Sequence, residues 1–572
     1  MRFPAVLLAL GLSAALAAAE SVSVSVLATT DMHGNIYPVD YATGKPVPRG
    51  LAKLATLIRE ERVRHPNSLL IDCGDTIQGS ALEYVYQTYV RSGKGPAGLP
   101  IPAAGLPADP MMAVMNRLGY DAMAVGNHEY NFGLKNFNRA RQDARFPWLS
   151  ANTQVAAGGS EKPFAAYIVK TVGGVKVAVI GVTTPAVPTW EKPENMGAYR
   201  FLAPLGPVRQ AIAELQAKHA PDVIVAAVHA GMGRDLRTGE PEGPDENVAY
   251  ALAAGAKGLD AIVLGHSHRE LAETRVGDVL LIQPKNWGAS LARLDFTFER
   301  EAGKWSLKAK KGTLLPAVES TPPAQDVLDI ARPYHELAER YLALPVARSP
   351  RALEAALGRV VDTAIVDAVQ KVQLYYTKAD VSLTALFNPR LKIDAGPVTV
   401  RQIAALYPYD NELYLIEGDG RMLKDALENA ARYYLSCQGA RCEQGPLVNT
   451  RIPGYNFDIA EGVDYEIDLT RPEGDRIRNL RWKGQPLAPN QPLKLAINNY
   501  RAAGSAGYGM FKGARVVWKS GEEIREMIVR YYTERGELPA APDGNWRVLP
   551  ETARQTLERQ AREAGARPPD LR

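Results

Sequence analysis

The stretch AVGNHEYNFG, Ala124 to Gly133, sets Asn127, His128 and Glu129 side by side directly after an apolar run. A short apolar run that ends in glycine and polar residues reads as a buried strand feeding a loop. Four more segments share the design: SVSVSVLATTDMHGN (Ser21 to Asn35), SLLIDCGDTIQGS (Ser68 to Ser80), VIVAAVHAGM (Val223 to Met232) and DAIVLGHSHRE (Asp260 to Glu270). Helical patterns lie between them: GLAKLATLIREERVR, DPMMAVMNRLGY, GPVRQAIAELQAK and NVAYALAAGAKG. Alternating strand and helix signals imply an α/β domain. Ligands of such sheets gather outside the carboxyl ends of the strands, where all five polar clusters would fall.

The clusters hold five of the eight histidines: His33, His128, His229, His266 and His268. The other three, His65, His219 and His335, lie in polar helical surroundings and are expected at the surface. One strand-end histidine is usually a satisfied structural residue, but five beside Asp31, Asp75 and Asn127 are hard to assign to packing. Buried charges need pairing or metal coordination, and no lysine or arginine is interleaved to neutralise these carboxylates. Imidazole nitrogens mixed with carboxylate and amide oxygens, without thiolates, suit Zn, Mn, Fe or Co better than a structural cysteine site. Seven such ligands exceed one tetrahedral ion but fit two ions sharing a bridge, an arrangement that clamps an in-line displacement at phosphorus. The residues alone point to a two-metal phosphoesterase.

In chain order, DMH, GDTIQG, GNHE, a lone strand-end histidine and GHSH resemble the five signature blocks of the calcineurin-like metallophosphoesterases. The resemblance implies a two-sheet αββα sandwich. It also implies two divalent ions, of Zn, Mn, Co or Mg. One would be held by Asp31, His33, Asp75 and His268, the other by Asp75, Asn127, His229 and His266, with Asp75 as the bridge. His128 would face the scissile phosphate without binding metal.

Further on, LYPYDNELYLIEGDGRMLKDALENAARYY, YNFDIAEGVDYEIDLT and LAINNYRAAGSAGYGMF resemble the nucleotide-binding domain of secreted 5′-nucleotidases. NHEYNFG, YNFD and NNYRA are closer to its 2′,3′-cyclic-nucleotide 2′-phosphodiesterase/3′-nucleotidase branch. In that family two aromatics clamp the base, and Tyr409 and Tyr500 match them; the alternative is ordinary packing by two of 25 tyrosines. Arg501 and Arg390 are further candidates for phosphate or ribose. The chain departs from strict 5′-nucleotidases twice. Asn131 stands where they pair the active-site histidine with aspartate, and GSAG, with Ala506, replaces their Gly-Gly-Asp. Asn131 can orient His128 but brings no negative charge of its own.

The expected reaction is hydrolysis of 2′,3′-cyclic and 3′-nucleotides to nucleoside and phosphate. The alternatives are a 5′-nucleotidase or UDP-sugar hydrolase on the same scaffold, and a non-catalytic exported binding module.

The 572-residue chain is too long for one core. We expect a catalytic domain over 20–320, a linker over 321–350 containing a helix interrupted at Pro333, and a C-terminal α/β substrate-binding domain over 351–572. Net charge is +4, which argues against nucleic-acid polymers as partners. Arg2, the apolar Val6 to Leu16 and Ala17-Ala18-Ala19 read as a signal peptide over 1–19, with no membrane anchor. An exported, periplasmic or extracellular monomer is expected. Cys437 and Cys442 are expected to pair, and Cys73 to be a buried apolar residue.

Overall fold

The computed structural model describes residues 20–236, 239–241, 246–301, 303–409 and 411–566. The proposed signal peptide lies outside them. The five apolar runs form strands at Ser21–Thr29, Ser68–Asp72, Ala122–Ala124, Val223–His229 and Ala261–Leu264. They divide between two six-stranded sheets. In one, Ser21–Thr29, Ser68–Asp72, Ala122–Ala124 and Trp148–Leu149 run parallel, flanked by the antiparallel Ser290–Glu301 and Lys304–Pro316. In the other, Val175–Thr183, Val223–His229, Ala261–Leu264 and Val279–Gln283 run parallel, with antiparallel strands at both edges.

Side-chain alternation stacks these sheets. Val24, Val26, Ile71, Val177, Val225 and Val263 point into the space between them. The alternate residues Ile180, Ile224, Ala226 and Ile262 pack outward under the helices Leu205–Lys218 and Ala249–Gly255. Leu27 and Leu70 pack outward on the first sheet, in the core shared with Leu51–Arg64 and Pro110–Leu118. This is the αββα sandwich. Each fully buried aliphatic side chain stabilises it by roughly 1.5–3 kcal/mol.

The linker helix Gln325–Ala343 runs unbroken through Pro333, contrary to the expected interruption. Proline removes one helix hydrogen bond. Against that loss, Val327, Ala331, Tyr334, Leu337, Ala338 and Tyr341 form one buried face packed on the helices Ala81–Ser92 and Pro110–Leu118. Burial outweighs the defect. His335 on this helix is also not a plain surface residue. Its ring stacks on Tyr37 at 3.9 Å and bonds the Tyr41 hydroxyl at 2.9 Å.

The strand Pro345–Ser349 pairs with Gly396–Thr399 and so belongs to the second α/β domain. That domain has a five-stranded sheet in the order Asp458–Glu461, Val381–Ala385, Pro492–Asn498, Glu412–Asp419, Val516–Glu523. A four-stranded sheet includes Ile477–Trp482, Val463–Asp468 and Trp546–Leu549. Cys437 and Cys442 are bonded, and Cys73 is buried and free.

Candidate metal centre

Parallel strands end together, so the polar clusters meet at one rim. Two sets of ligand atoms form there, each within 4.8 Å: Asp31, His33 and His268, and Asp75, His229 and His266. Asp75 lies between the sets. Its Oδ2 is 3.0 Å from His229 Nε2 and 3.9 Å from His33 Nε2, while its Oδ1 accepts the His128 backbone N–H at 2.8 Å. Asn127 Oδ1 is 3.0 Å from His229 Nε2. The seven expected ligands are thus brought together.

The backbone and the donor geometry both suit a cation. Asp31, His33, Asp75, His266 and His268 all adopt positive φ, between 45° and 70°. Each such non-glycine residue costs on the order of 1–3 kcal/mol and persists where the surroundings over-determine it, typically at functional sites. The carbonyls of Gln78 and Cys73 accept from His33 Nδ1 and His229 Nδ1, at 3.0 and 2.7 Å. That fixes each proton on Nδ1 and turns Nε2 inward, as in metal-ligating histidines. His229 Nε2 then meets only acceptor oxygens, and His33 Nε2 lies 2.9 Å from His268 Nε2. Burial disfavours charge on His229, but the Asp75 carboxylate overcomes it and pushes the ring up to about 10. A divalent ion resolves both crowded contacts as a proton would. The residues fit the group.

Glu129, absent from the expected site, explains the third polar residue of GNHE. Its buried carboxylate accepts from the backbone N–H groups of Asp75 at 3.0 Å, Thr76 at 2.5 Å and Gly126 at 2.7 Å. It clips two strand-end loops together. A Cβ at Gly126 would fall 2.2 Å from Asp75 Oδ1, so only glycine permits this approach.

His128 Nδ1 lies 2.5 Å from Asn131 Oδ1. Asn131 Nδ2 donates to Glu191 Oε2 at 2.7 Å, which orients the amide with its oxygen toward the imidazole. The Glu191 carboxylate also accepts from Asn195 Nδ2 and the Lys192 N–H, at 2.8 and 2.7 Å. Burial raises its pKa, and those hydrogen bonds oppose the rise. The negative charge that Asn131 lacks therefore stands one residue behind it. Glu191→Gln is expected to lower kcat about tenfold at nearly constant KM. Loss of the charge lowers the His128 pKa, so the alkaline limb of the kcat profile should move to lower pH. An unchanged profile would make Glu191 a purely structural contact.

On the facing domain, Tyr409 and Tyr500 are 42% and 48% exposed, and Tyr455, not anticipated from sequence, is 45% exposed. The three are close enough for Tyr455 and Tyr500 to raise the Tyr409 pKa, second to burial. Phe387 buttresses Tyr409 edge-on at 4.9 Å. The loop of Tyr500 is tied to the neighbouring strand end through Asn499, whose Oδ1 accepts the Glu412 N–H at 3.3 Å. Burial pushes Glu412 up to about 7, helped by Glu191 and opposed by His128. A cavity of about 260 Å³ is lined by Tyr409 together with Asn35, Gly79, Phe132 and Trp287 of the first domain. Arg501 does not face this space as expected. Its guanidinium is buried against both oxygens of Asp458, each at 2.8 Å, and donates to the Tyr455 carbonyl at 2.7 Å. It props the aromatic loop. Arg390 is exposed, and the charge that bears on Tyr409 comes from Arg359 instead.

Comparison with known proteins agrees with this architecture. Residues 24–270 match the calcineurin-like phosphoesterase family, and residues 345–513 match the 5′-nucleotidase C-terminal domain. The trifunctional nucleotide phosphoesterase YfkN of Bacillus subtilis is 29% identical over 93% of this chain, which spans only 39% of that protein. A 2′,3′-cyclic-nucleotide 2′-phosphodiesterase/3′-nucleotidase of Salmonella typhimurium is 27% identical, covering 96% of this chain and 92% of its own. A Staphylococcus aureus 5′-nucleotidase structure superposes with a TM-score of 0.69 at 26% identity, covering 92% of this chain and all of the other. Fold and site together define a metal-dependent phosphoric ester hydrolase. The chain carries a calcineurin-like phosphoesterase domain followed by a 5′-nucleotidase C-terminal domain.

Proposed function

We propose that this chain hydrolyses 2′,3′-cyclic nucleotides and 3′-nucleotides to nucleoside and phosphate, with two divalent ions held by Asp31, His33, Asp75, Asn127, His229, His266 and His268. The observation that carries the reading is that exposed Tyr409 lines one cavity with Gly79 and Trp287, the immediate neighbours of His33 and His268. Every base has a π-face, so tyrosines grip nucleotides with little base selectivity, at about 1–3 kcal/mol per stack. Divalent ions at the centre would supply Lewis acidity and lower the pKa of a water toward about 7. The chain's own work is positional. Asn131 holds the Nδ1 proton of His128, leaving Nε2 to carry the proton delivered to the leaving ribose oxygen. Glu129 fixes the loops that present Asp75 and Asn127.

Export is part of the proposal, supported by the leader-like residues 1–19; no helix among the described residues is long and apolar enough to cross a membrane. N-terminal sequencing of protein recovered from a periplasmic extract tests it.

A substrate panel tests the reaction. Phosphate release should be faster from 2′,3′-cyclic AMP and 3′-AMP than from 5′-AMP or UDP-glucose. Tyr409→Ala and Tyr500→Ala should each raise KM for nucleotides roughly tenfold while sparing nitrophenyl phosphate. Equal losses on both substrates would make the tyrosines structural, and 5′-AMP as best substrate would overturn the branch.

A further inference from the structure

Outside the catalytic centre, the second domain gathers four carboxylates from separate segments. Asp362 precedes the helix Ala364–Thr377, and Asp367 lies in its first turn. Glu461 ends the strand Asp458–Glu461, and Asp543 lies before the strand Trp546–Leu549. Carboxylate oxygens of Asp362, Asp367 and Asp543 lie within 4.8 Å of one another. Glu461 sits against Asp543. Among the described residues none of the four is ion-paired with a lysine or arginine.

Acidic clusters are common on solvated faces, but this one is not simply solvated. Asp367 is 2% exposed, and its Oδ2 has no hydrogen-bond donor beyond what a shared proton with the adjacent Asp362 carboxyl would supply. An ionised oxygen left so is costly unless a cation or a proton meets it. Close by, Asp362 Oδ2 accepts the Gly544 N–H at 2.7 Å, which draws the 539–545 loop onto the helix start. Asn545 is anchored through Nδ2 to the carbonyls of Ala460 and Val463, and its own Oδ1 is buried and unpartnered. Asp543 is exposed, so the cluster opens to solvent on one side. Burial first, then mutual repulsion, pushes Asp367 up to about 7.

We propose that Asp362, Asp367 and Asp543 bind a hard divalent cation of calcium's kind, which fastens the start of the Ala364–Thr377 helix to the 539–545 loop. The donor set decides the class of ion. It is all oxygen, with no imidazole or thiolate, unlike the histidine-rich catalytic centre. Calcium accepts 6–8 oxygens in irregular geometry, and water can complete the shell on the open side. The role is structural, and it is separable from catalysis.

The test uses full-length protein stripped of metal by chelation and then titrated with calcium. Millimolar calcium should raise Tm by about 5 °C. Terbium bound in its place should luminesce when Trp546, which follows Asn545, is excited. Asp367→Asn should lose both responses, while Asp75→Asn, altered only in the catalytic centre, should keep them. If Asp367→Asn fails to fold, Asp543→Asn at the exposed position should weaken calcium binding at least tenfold. The proposal is overturned if Asp367→Asn and Asp543→Asn respond like wild type. It is equally overturned if wild type shows no response, leaving carboxyl groups that only share protons, or if Asp75→Asn alone abolishes it.

Discussion

Asp75→Asn is expected to slow hydrolysis by about 1,000-fold or more and to strip the protein of most of its bound metal. Asp75 lies within reach of both histidine sets, 3.0 Å from His229 Nε2 and 3.9 Å from His33 Nε2. Asparagine has the same shape, so its Oδ1 can still accept the His128 N–H and the loop should keep its course. The charge, however, disappears. In wild type, burial works against ionising Asp75, but His229, His128 and His33 outweigh it and hold the carboxyl well below its usual range. With asparagine there, His229 loses the main charge that holds its proton and can shed it, so the metal-free variant should fold. Elemental analysis and circular dichroism on the same sample check this. Full metal content in a folded, inactive Asp75→Asn would mean that Asp75 acts on substrate and not as a bridge.

The layout of this centre was legible because each ligand punctuates an apolar run. Strand ends fall together in an α/β sheet, so five clusters in five strands had to share a rim. The supports of those ligands were hidden. Glu191 meets Asn131 across 60 residues of chain, and nothing local marks a glutamate in TWEKPEN as the partner of a distant amide. Glu129 stood in plain view within GNHE, but its three backbone donors exist only once two loops have met. Tyr455 and Arg501 show the same limit. Both lie in motifs that resembled a nucleotide-binding domain, yet which of them stays exposed depends on Asp458 capturing the guanidinium. At Pro333 a local rule failed because it is weaker than the buried face it opposed. Local chemistry in the sequence thus located the site, and long-range pairing decided the orientation within it.

On the proposed role of the ring as an acid that does not hold the ions, His128→Ala is expected to lower kcat by about 100- to 10,000-fold with metal content unchanged. Asn131→Asp is the sharper test. In isolation an aspartate beside His128 should raise its pKa and move the alkaline limb of the kcat profile upward. Here, though, the new carboxylate would face Glu191 across a contact that is now a 2.7 Å hydrogen bond. Two carboxylates so close cannot both ionise, so they share a proton and the pair keeps the single charge that Glu191 carries in wild type. Asn131→Asp alone should therefore slow turnover and shift the limb little. Adding Glu191→Gln restores a donor to that contact, because the Gln amide can donate to the aspartate. The single charge then sits directly against the imidazole, 2.5 Å away if the present geometry holds. His128 should stay protonated further up the pH scale, and the limb should move upward on the order of 1–2 units in the double variant. Its kcat near neutral pH should recover relative to Asn131→Asp. If single and double variants instead share one pH profile, the Glu191–Asn131–His128 chain does not set the acid's pKa, and another group titrates in the alkaline limb.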